Sequence, residues 1–512
     1  MDFLETGREI IISDLIPTGD IDTDKVIIPK ILNSALSVHK KNVAIMDMLF
    51  GYYHNKTDII AKSKNQQPNI NNKISVNYPN IAVTTINAYC FANAPTFSCR
   101  KADKETQNKL KEFNDALARD NYYGKLLKCT MNSGICGLGY KYCRPATKDE
   151  IANGVYFRTS SELDPRDTFV VRANNLDREK IMAVNIYTRK SYSQNYKKVR
   201  EEIVYNVWTK WHQWLFSTKN GKLTNEQFTV ENVVYDAYPL AYNRIPIIEY
   251  ERKQDRTCDF EAGLGLINAI NNLASSRLDD VQQAVDYLIT MRDIDTSSDE
   301  ALNAAYAALK KGILSFRSVE GATVQPEIKI LTATLNQSEV QTLQDFYCEK
   351  LEEVLNIPNR ETRSSGGDTG SAVESRNGFR SLENIAGLVT ASTFESENEM
   401  LDLILAICQN IRKCPFAGLM ASDIEIKENR NKVENLESAT NAYSTMRSAG
   451  MNDADAIRIS KLDPDSSTVA KRNEQEQEKQ SKREELVDKS TSKNNGTDDG
   501  ANNQGISGNN KS

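Results

Sequence analysis

The chain has 512 residues, 39% hydrophobic and 26% charged, with a formal net charge of −6. That length holds three or four ordinary domains or one elongated subunit, and the mild acidity disfavours tight nucleic-acid binding by a basic face. The first residues are acidic where a secretory leader is basic, and no apolar run is long enough for a membrane helix, so an intracellular protein without a membrane partner is expected.

In chain order, residues 30–91 space their apolar groups by three and four, with an Asn-rich break, and predict two helices. Further helices are predicted over 104–117 and 123–132. Beyond Gly134 the period shifts toward two. The runs GYKYCR, GVYFRT, TFVVRA, KIMAVNIYT, EIVYNVW, WHQWLFS and NVVYDAY are short, β-branched and aromatic, which predicts an α+β fold with an antiparallel meander. A helix of about thirty residues, roughly 45 Å long, begins near Phe260. Its apolar stripe takes in Leu264, Ile267, Leu278, Val281 and Leu288. Asp279 and Asp280 are expected on its solvated face, and the carboxylates of DRTCDFE, from Asp255 to Glu261, as the ordinary acidic bias of a helix entry.

A short helix over 298–311, a hairpin of ILSFRSV with TVQPEIKIL, and a returning helix over 337–355 predict an antiparallel helix pair carrying a small knob. A glycine-rich loop follows, then a long helical pattern over 371–413, opened by a capping box at 371–374 and bent, if anywhere, at Gly378 or Gly387. Two shorter helices are predicted within 428–462, and a charged helix from 471 gives way to an Asn-, Gly- and Ser-rich tail expected to be disordered.

No HExxH, GxSxG, complete P-loop or strand–helix GxGxxG is present, so no catalytic residue, metal or cofactor is predicted. Cys129, Cys136 and Cys143 recur every seven residues, but glycines interrupt any common helix and a zinc site needs a fourth ligand; buried thiols are the preferred reading. Tyr205, Trp208, Trp211, Trp214 and Phe216 could stack bases, but no basic run accompanies them beyond Lys197, Lys198 and Arg200, and a core or interface is preferred. The glycine-rich loop NRETRSSGGDTG lacks a P-loop lysine. Gly366, Gly367 and Gly370 permit close approach, Ser364, Ser365 and Thr369 offer hydrogen bonds, and Arg360 and Arg363 balance Glu361 and Asp368. Such a near-neutral loop suits a surface that touches a polyanion without holding it.

The order of these pieces resembles the portal, or head–tail connector, proteins of tailed bacteriophages over residues 52–478. The stretches that carry the resemblance are NNKISVNYPNIAVTTINAYCFANAPTF, RIPIIEYERKQDRTCDFEAGLGLINAINNLASSRLDDVQQAVDYLITM, NIPNRETRSSGGDTGSAVESR and IEIKENRNKVENLESATNAYSTMRSAGMNDADAIRISKLDPDSSTVAKRNEQEQE. The resemblance implies an arm and wing over 1–259, a stem helix over 260–291, a clip over 292–331 and a second stem helix over 332–356. It further implies a tunnel loop over 357–370, a long wing helix over 371–424, a crown over 425–483 and a tail over 484–512. Arg360, Arg363, Ser364, Ser365, Gly366, Gly367, Asp368 and Thr369 would then face DNA, although the aromatic that the family's loop often carries is missing.

The same resemblance implies a non-enzymatic dodecameric ring at one capsid vertex, assembled in the host cytoplasm and carried in the virion. Double-stranded DNA would pass through it without sequence specificity, and the terminase large subunit, head–tail adaptors and the major capsid or scaffolding protein would be its partners. Two other classes stand beside this reading: a phosphate-handling or nuclease-like enzyme built on the loop, and a different virion component such as a scaffold or tail protein.

Overall fold

The computed structural model describes residues 7–64, 69–100, 103–192, 199–219, 222–230, 233–285, 288–292, 327–331, 337–358, 379–430 and 436–460, with 299, 300, 303, 307, 469, 473–475, 477 and 478. It opens with β1 (Ile11–Ser13), α1 (Ile21–Tyr53), α2 (Tyr78–Phe91), β2 (Thr96–Cys99), α3 (Lys104–Arg119) and α4 (Tyr122–Cys136). The strand-rich middle holds β3 (Leu138–Pro145), α5 (Lys148–Ala152), β4 (Phe157–Ser160), β5 (Thr168–Ala173), β6 (Lys180–Tyr192), β7 (Val199–Trp208), β8 (His212–Lys219) and β9 (Lys222–Glu226). It continues through β10 (Phe228–Val230), β11 (Val233–Tyr235), β12 (Tyr238–Pro239) and β13 (Ile247–Glu251). The last elements are α6 (Leu264–Val285), β14 (Leu288–Arg292), β15 (Glu327–Leu331), α7 (Gln337–Leu355), α8 (Phe379–Gln409), β16 (Ile424–Lys427), α9 (Leu436–Ser448) and α10 (Asp453–Ser460).

α1 starts well before the expected Lys30. Asp20 caps it by accepting from the Thr23 N–H at 2.9 Å, and Pro29 lies inside the helix. A proline there removes the one hydrogen bond to the carbonyl four residues back, a loss offset by burying Ile28, Ile31 and Leu32. The resulting 33-residue rod is about 50 Å long and reaches three cores. Ile28, Ile31, Leu32 and Ala35 pack on the main sheet, Met46 on the central core, and Leu49 and Tyr52 against α2 and α6.

The main sheet has the order β1-β5-β6-β7-β8-β12, with β9 on β8. Its β5-to-β9 portion is the expected antiparallel meander. β1 joins it in parallel, Ile11 opposite Val171, a pairing between distant segments that local pattern does not announce. The runs around β3 and β4 belong instead to a second sheet, β13-β3-β4, which α4 and α8 cover through Leu126, Cys129, Met400 and Ile404. Gly137 ends α4 at φ 87°, and a Cβ there would lie 2.1 Å from the Arg256 carbonyl oxygen.

The helix expectation for residues 260–291 needs correction. The helix expected over 260–291 is α-helical only from Leu264 to Val285, and Leu288–Arg292 form β14. β15 pairs with β14, Leu288 opposite Leu331, so the apolar spacing carried through Leu288 belonged to a strand. The hairpin partner ILSFRSV and most of the expected 298–311 helix lie outside the described residues, as do 371–378 and the 484–512 tail. α7 matches its expected limits, and α8 runs through Gly387 without interruption but stops at Gln409, before the expected Lys413.

Candidate functional site

All eight predicted loop residues, Arg360, Arg363, Ser364, Ser365, Gly366, Gly367, Asp368 and Thr369, lie outside the described residues. The structure fixes the residues on either side of the undescribed 359–378, which include that loop. On the entry side α7 closes with Asn356 at φ 54°, and Ile357 returns to the core formed by Phe260, Ile267, Leu351 and Leu355. Gly263 makes this close approach feasible, since a Cβ would sit 2.8 Å from a Leu351 methyl. On the exit side Leu382, Ala386 and Val389 of α8 pack on Ile86, Cys90 and Phe91 of α2. Both ends therefore rest on α2, whose Ala82 and Val83 belong to the entry core. Glu383, one turn into α8, accepts from the Tyr89 hydroxyl at 2.5 Å and pairs with Arg430, which also donates to Glu428 at 2.8 Å. Arg430 thus links the exit of the loop to the chain just beyond β16.

α6 and α7 form the expected antiparallel pair. Gly263 before α6 meets Leu351 and Leu355 late in α7, while Arg277 late in α6 donates to Gln341 and Gln344 early in α7. Leu278, Val281, Leu343, Phe346 and Val354 remain 37–50% exposed on this hairpin. The polar face of α6 is not simply solvated. Asn268, Asn271, Ser275, Asp279 and Gln282, spaced by three and four, hold the segment from Asp58 to Val76 against the helix. Asp279 is 1% exposed. It accepts from the Asn72 N–H at 2.7 Å, the Asn72 amide at 2.8 Å and Lys62 at 3.2 Å. Burial opposes its ionisation, but the Asn72 bonds and then Lys62 outweigh it and hold the carboxyl at about 2.

A second correction concerns DRTCDFE. Asp259 and Glu261 are buried, Asp259 forming a two-point pair with Arg252 at 2.6 and 2.8 Å and Glu261 accepting from Arg8 at 2.5 Å. The deepest ionic group was not singled out in the sequence at all. Glu397 of α8 and Lys141 of β3 are both fully buried and paired at 3.0 Å, while the Tyr122 and Tyr250 hydroxyls each donate to the same carboxylate at 2.5 Å. Lys141 also lies 3.5 Å from the centre of the Tyr122 ring. Burial first, then the Glu397 charge, pushes both phenols well above their ordinary value. Each of these groups has a partner within the cluster, which joins α8 to β3, α4 and β13. Glu397 stands between Glu395 and Glu399 in FESENEM, so local sequence does not set it apart from its solvated neighbours.

Trp208, Trp214 and Phe216 are buried in the core, Tyr205 packs partly buried against it, and half-buried Trp211 lies beside Gly19. Cys129, Cys136 and Cys143 are likewise buried in the central core, and burial pushes the Cys136 thiol up to about 12.

The model of the family "Phage portal protein, SPP1 Gp6-like" matches residues 34–484. No curated protein matches the chain. Among solved structures, a chain from "Neck of empty GTA particle computed with C6 symmetry" has a TM-score of 0.42 at 11% identity, covering 76% of this chain and 91% of its own. A chain from "Neck of native GTA particle computed with C12 symmetry" has a TM-score of 0.41 at 11% identity, with the same coverage of 76% and 91%. The family match extends from within α1 through the last described helices, and the chain belongs to the phage portal protein family.

Proposed function

We propose that this portal protein assembles as a closed dodecameric ring at one capsid vertex and that double-stranded DNA passes through the axial channel during packaging, retention and ejection. The observation that carries this reading is the family match across residues 34–484, which takes in the α6–α7 pair and both anchors of the loop. The exposed Leu278, Val281, Leu343, Phe346 and Val354 support it, because a ring needs heterologous contacts and apolar groups on a helix pair supply them. The formal charge of −6 also fits conduction: a channel that neutralised many phosphates would release counterions and hold the duplex.

In this reading residues 260–291 and 332–356 form the stem, 292–331 the clip that docks the terminase large subunit and head–tail adaptors, and 425–483 the crown. Arg360, Arg363, Ser364, Ser365, Gly366, Gly367, Asp368 and Thr369 face the DNA, and the ring sits among capsid or scaffolding subunits in the virion. Native mass measurement with negative-stain imaging tests the assembly. A ring whose hole admits a duplex, about 20 Å plus clearance, is expected; rods or shells, or a monomer under procapsid-assembly conditions, would sink it. Packaging assays with Gly366→Trp/Gly367→Trp rings test the loop, and undiminished packaging would remove it from the mechanism.

A further inference from the structure

The seven-stranded sheet ends in two different ways, and the two ends complement one another. At one end β1 has β5 on its inner side and, among the described residues, no strand on its outer side. Alternate residues of a strand turn their N–H and C=O groups to opposite sides. The Ser13 carbonyl accepts from the Asn174 N–H at 2.9 Å, so Ser13 faces β5 and the backbone groups of Ile12 point to the free edge. Ile10, Ile12 and Leu15 are 41–43% exposed along this edge.

Five strand steps away, about 24 Å at 4.8 Å per step, the sheet ends at β12 and β9, which both pair with β8. Beside β12 stands the β10–β11 hairpin, a two-stranded unit separate from the main sheet. Its base is tied to β12 by ring contacts of Phe228 and Tyr235 with Tyr238, 6.4 and 5.6 Å between centroids. Val230, Val233 and Val234 are exposed by 37, 49 and 57%. A lone two-stranded hairpin is marginal in water, and an uncovered edge strand invites pairing.

We infer that the β10–β11 hairpin of one subunit adds to the free edge of β1 in the next, making a strand-to-strand contact between copies of this chain. The partner is a second copy because one chain carries both halves. The three-residue β1 and the three-residue hairpin strands match in length, each has an edge that no strand pairs with among the described residues, and each presents exposed aliphatic side chains. One half is an edge of the main sheet and the other stands beside its far end, so the contact joins two different surfaces, the heterologous kind that forms rings when the rotation closes rather than two-fold dimers. The inference rests on the ring reading and adds the surface through which neighbouring subunits recognise each other.

The test places the photo-cross-linker benzoylphenylalanine at position 234 of the full chain and maps the linked peptides by mass spectrometry after irradiation. Links between chains from the hairpin to residues 9–16, forming a ladder of covalent oligomers, are expected. Rings that form normally but link position 234 to any other element, or only within one chain, overturn the hairpin contact and leave the ring reading intact. Absence of oligomers from the unmodified chain overturns both. Ile12→Pro removes one outward N–H without touching the β5 ladder. It is expected to lower ring yield at limiting concentration about tenfold, the effect of about 1.4 kcal/mol per contact, with an unchanged unfolding transition of the isolated subunit; wild-type yield counts against the contact.

Discussion

The second sheet with α8 and the α6–α7 pair solve the problem of burying polar groups in opposite ways. Between the sheet and its helices, Glu397 pairs with Lys141 and accepts from Tyr122 and Tyr250, and Arg252 pairs with Asp259, all of them buried. On α6 the polar row from Asn268 to Gln282 is covered by residues from 58–64 and 69–76, and the remaining surface still shows Leu278 and Val281. The first region is complete within one chain. The second leaves apolar surface for something else to cover, which is where an assembling protein is expected to differ from a self-contained one.

The comparison breaks most sharply at Glu397. Glu397→Ala leaves Lys141 buried without a counter-charge and strips two phenols of their acceptor, so a loss of about 3–5 kcal/mol is expected in urea unfolding. Replacing both members, Lys141→Met with Glu397→Leu, should recover much of that loss, because an apolar pair leaves no orphan charge. A single mutant within about 1 kcal/mol of wild type would show that the cluster does not hold α8 in place.

Asp279 comes next. Asp279→Ala is expected to cost about 1–3 kcal/mol, the penalty for orphaning buried donors, and to raise amide exchange at Asn72 and Ile74 while sparing β3 and β13. Its pH signature has a definite sign. The folded value of about 2 lies below the ordinary 3.8, so the contribution is complete above pH 3.8 and is lost as pH falls toward 2. Urea midpoints compared at pH 5 and pH 3 should therefore converge between wild type and Asp279→Asn at the lower pH. Parallel curves would mean that Asp279 does not titrate as the geometry requires.

Much of this division was legible in the sequence. The limits of α7, the start of α3 at Lys104 and the meander strands from β5 to β8 follow from local spacing and turns, which the structure keeps. What was not legible depends on contacts between distant segments. Asp279 and Glu397 look like solvated helix carboxylates until the 58–76 segment and β3 are folded over them, 207 residues from Asp279 in the case of Asn72. β1 is three residues long, too short to show a period, and is fixed by β5. The loop itself was read from its glycines, hydroxyls and balanced charge, and only its two anchors on α2 are added by the fold.

The smallest effect on a single subunit should be the largest on assembly. Phe346 and Leu343 are 50 and 43% exposed on α7, so Leu343→Ser with Phe346→Ser removes little that one chain buries. Its unfolding free energy is expected to move by about 0.5 kcal/mol, as for surface changes in general. In a ring the same atoms would be enclosed at every subunit boundary, and because each boundary repeats, a modest loss per contact multiplies around the circle. Native mass of the double mutant should then show subunits or short arcs where wild type shows rings, with intact far-ultraviolet circular dichroism. Rings of normal abundance would assign this exposed stripe to the channel wall or to solvent, and the subunit contacts would have to be carried by the wing.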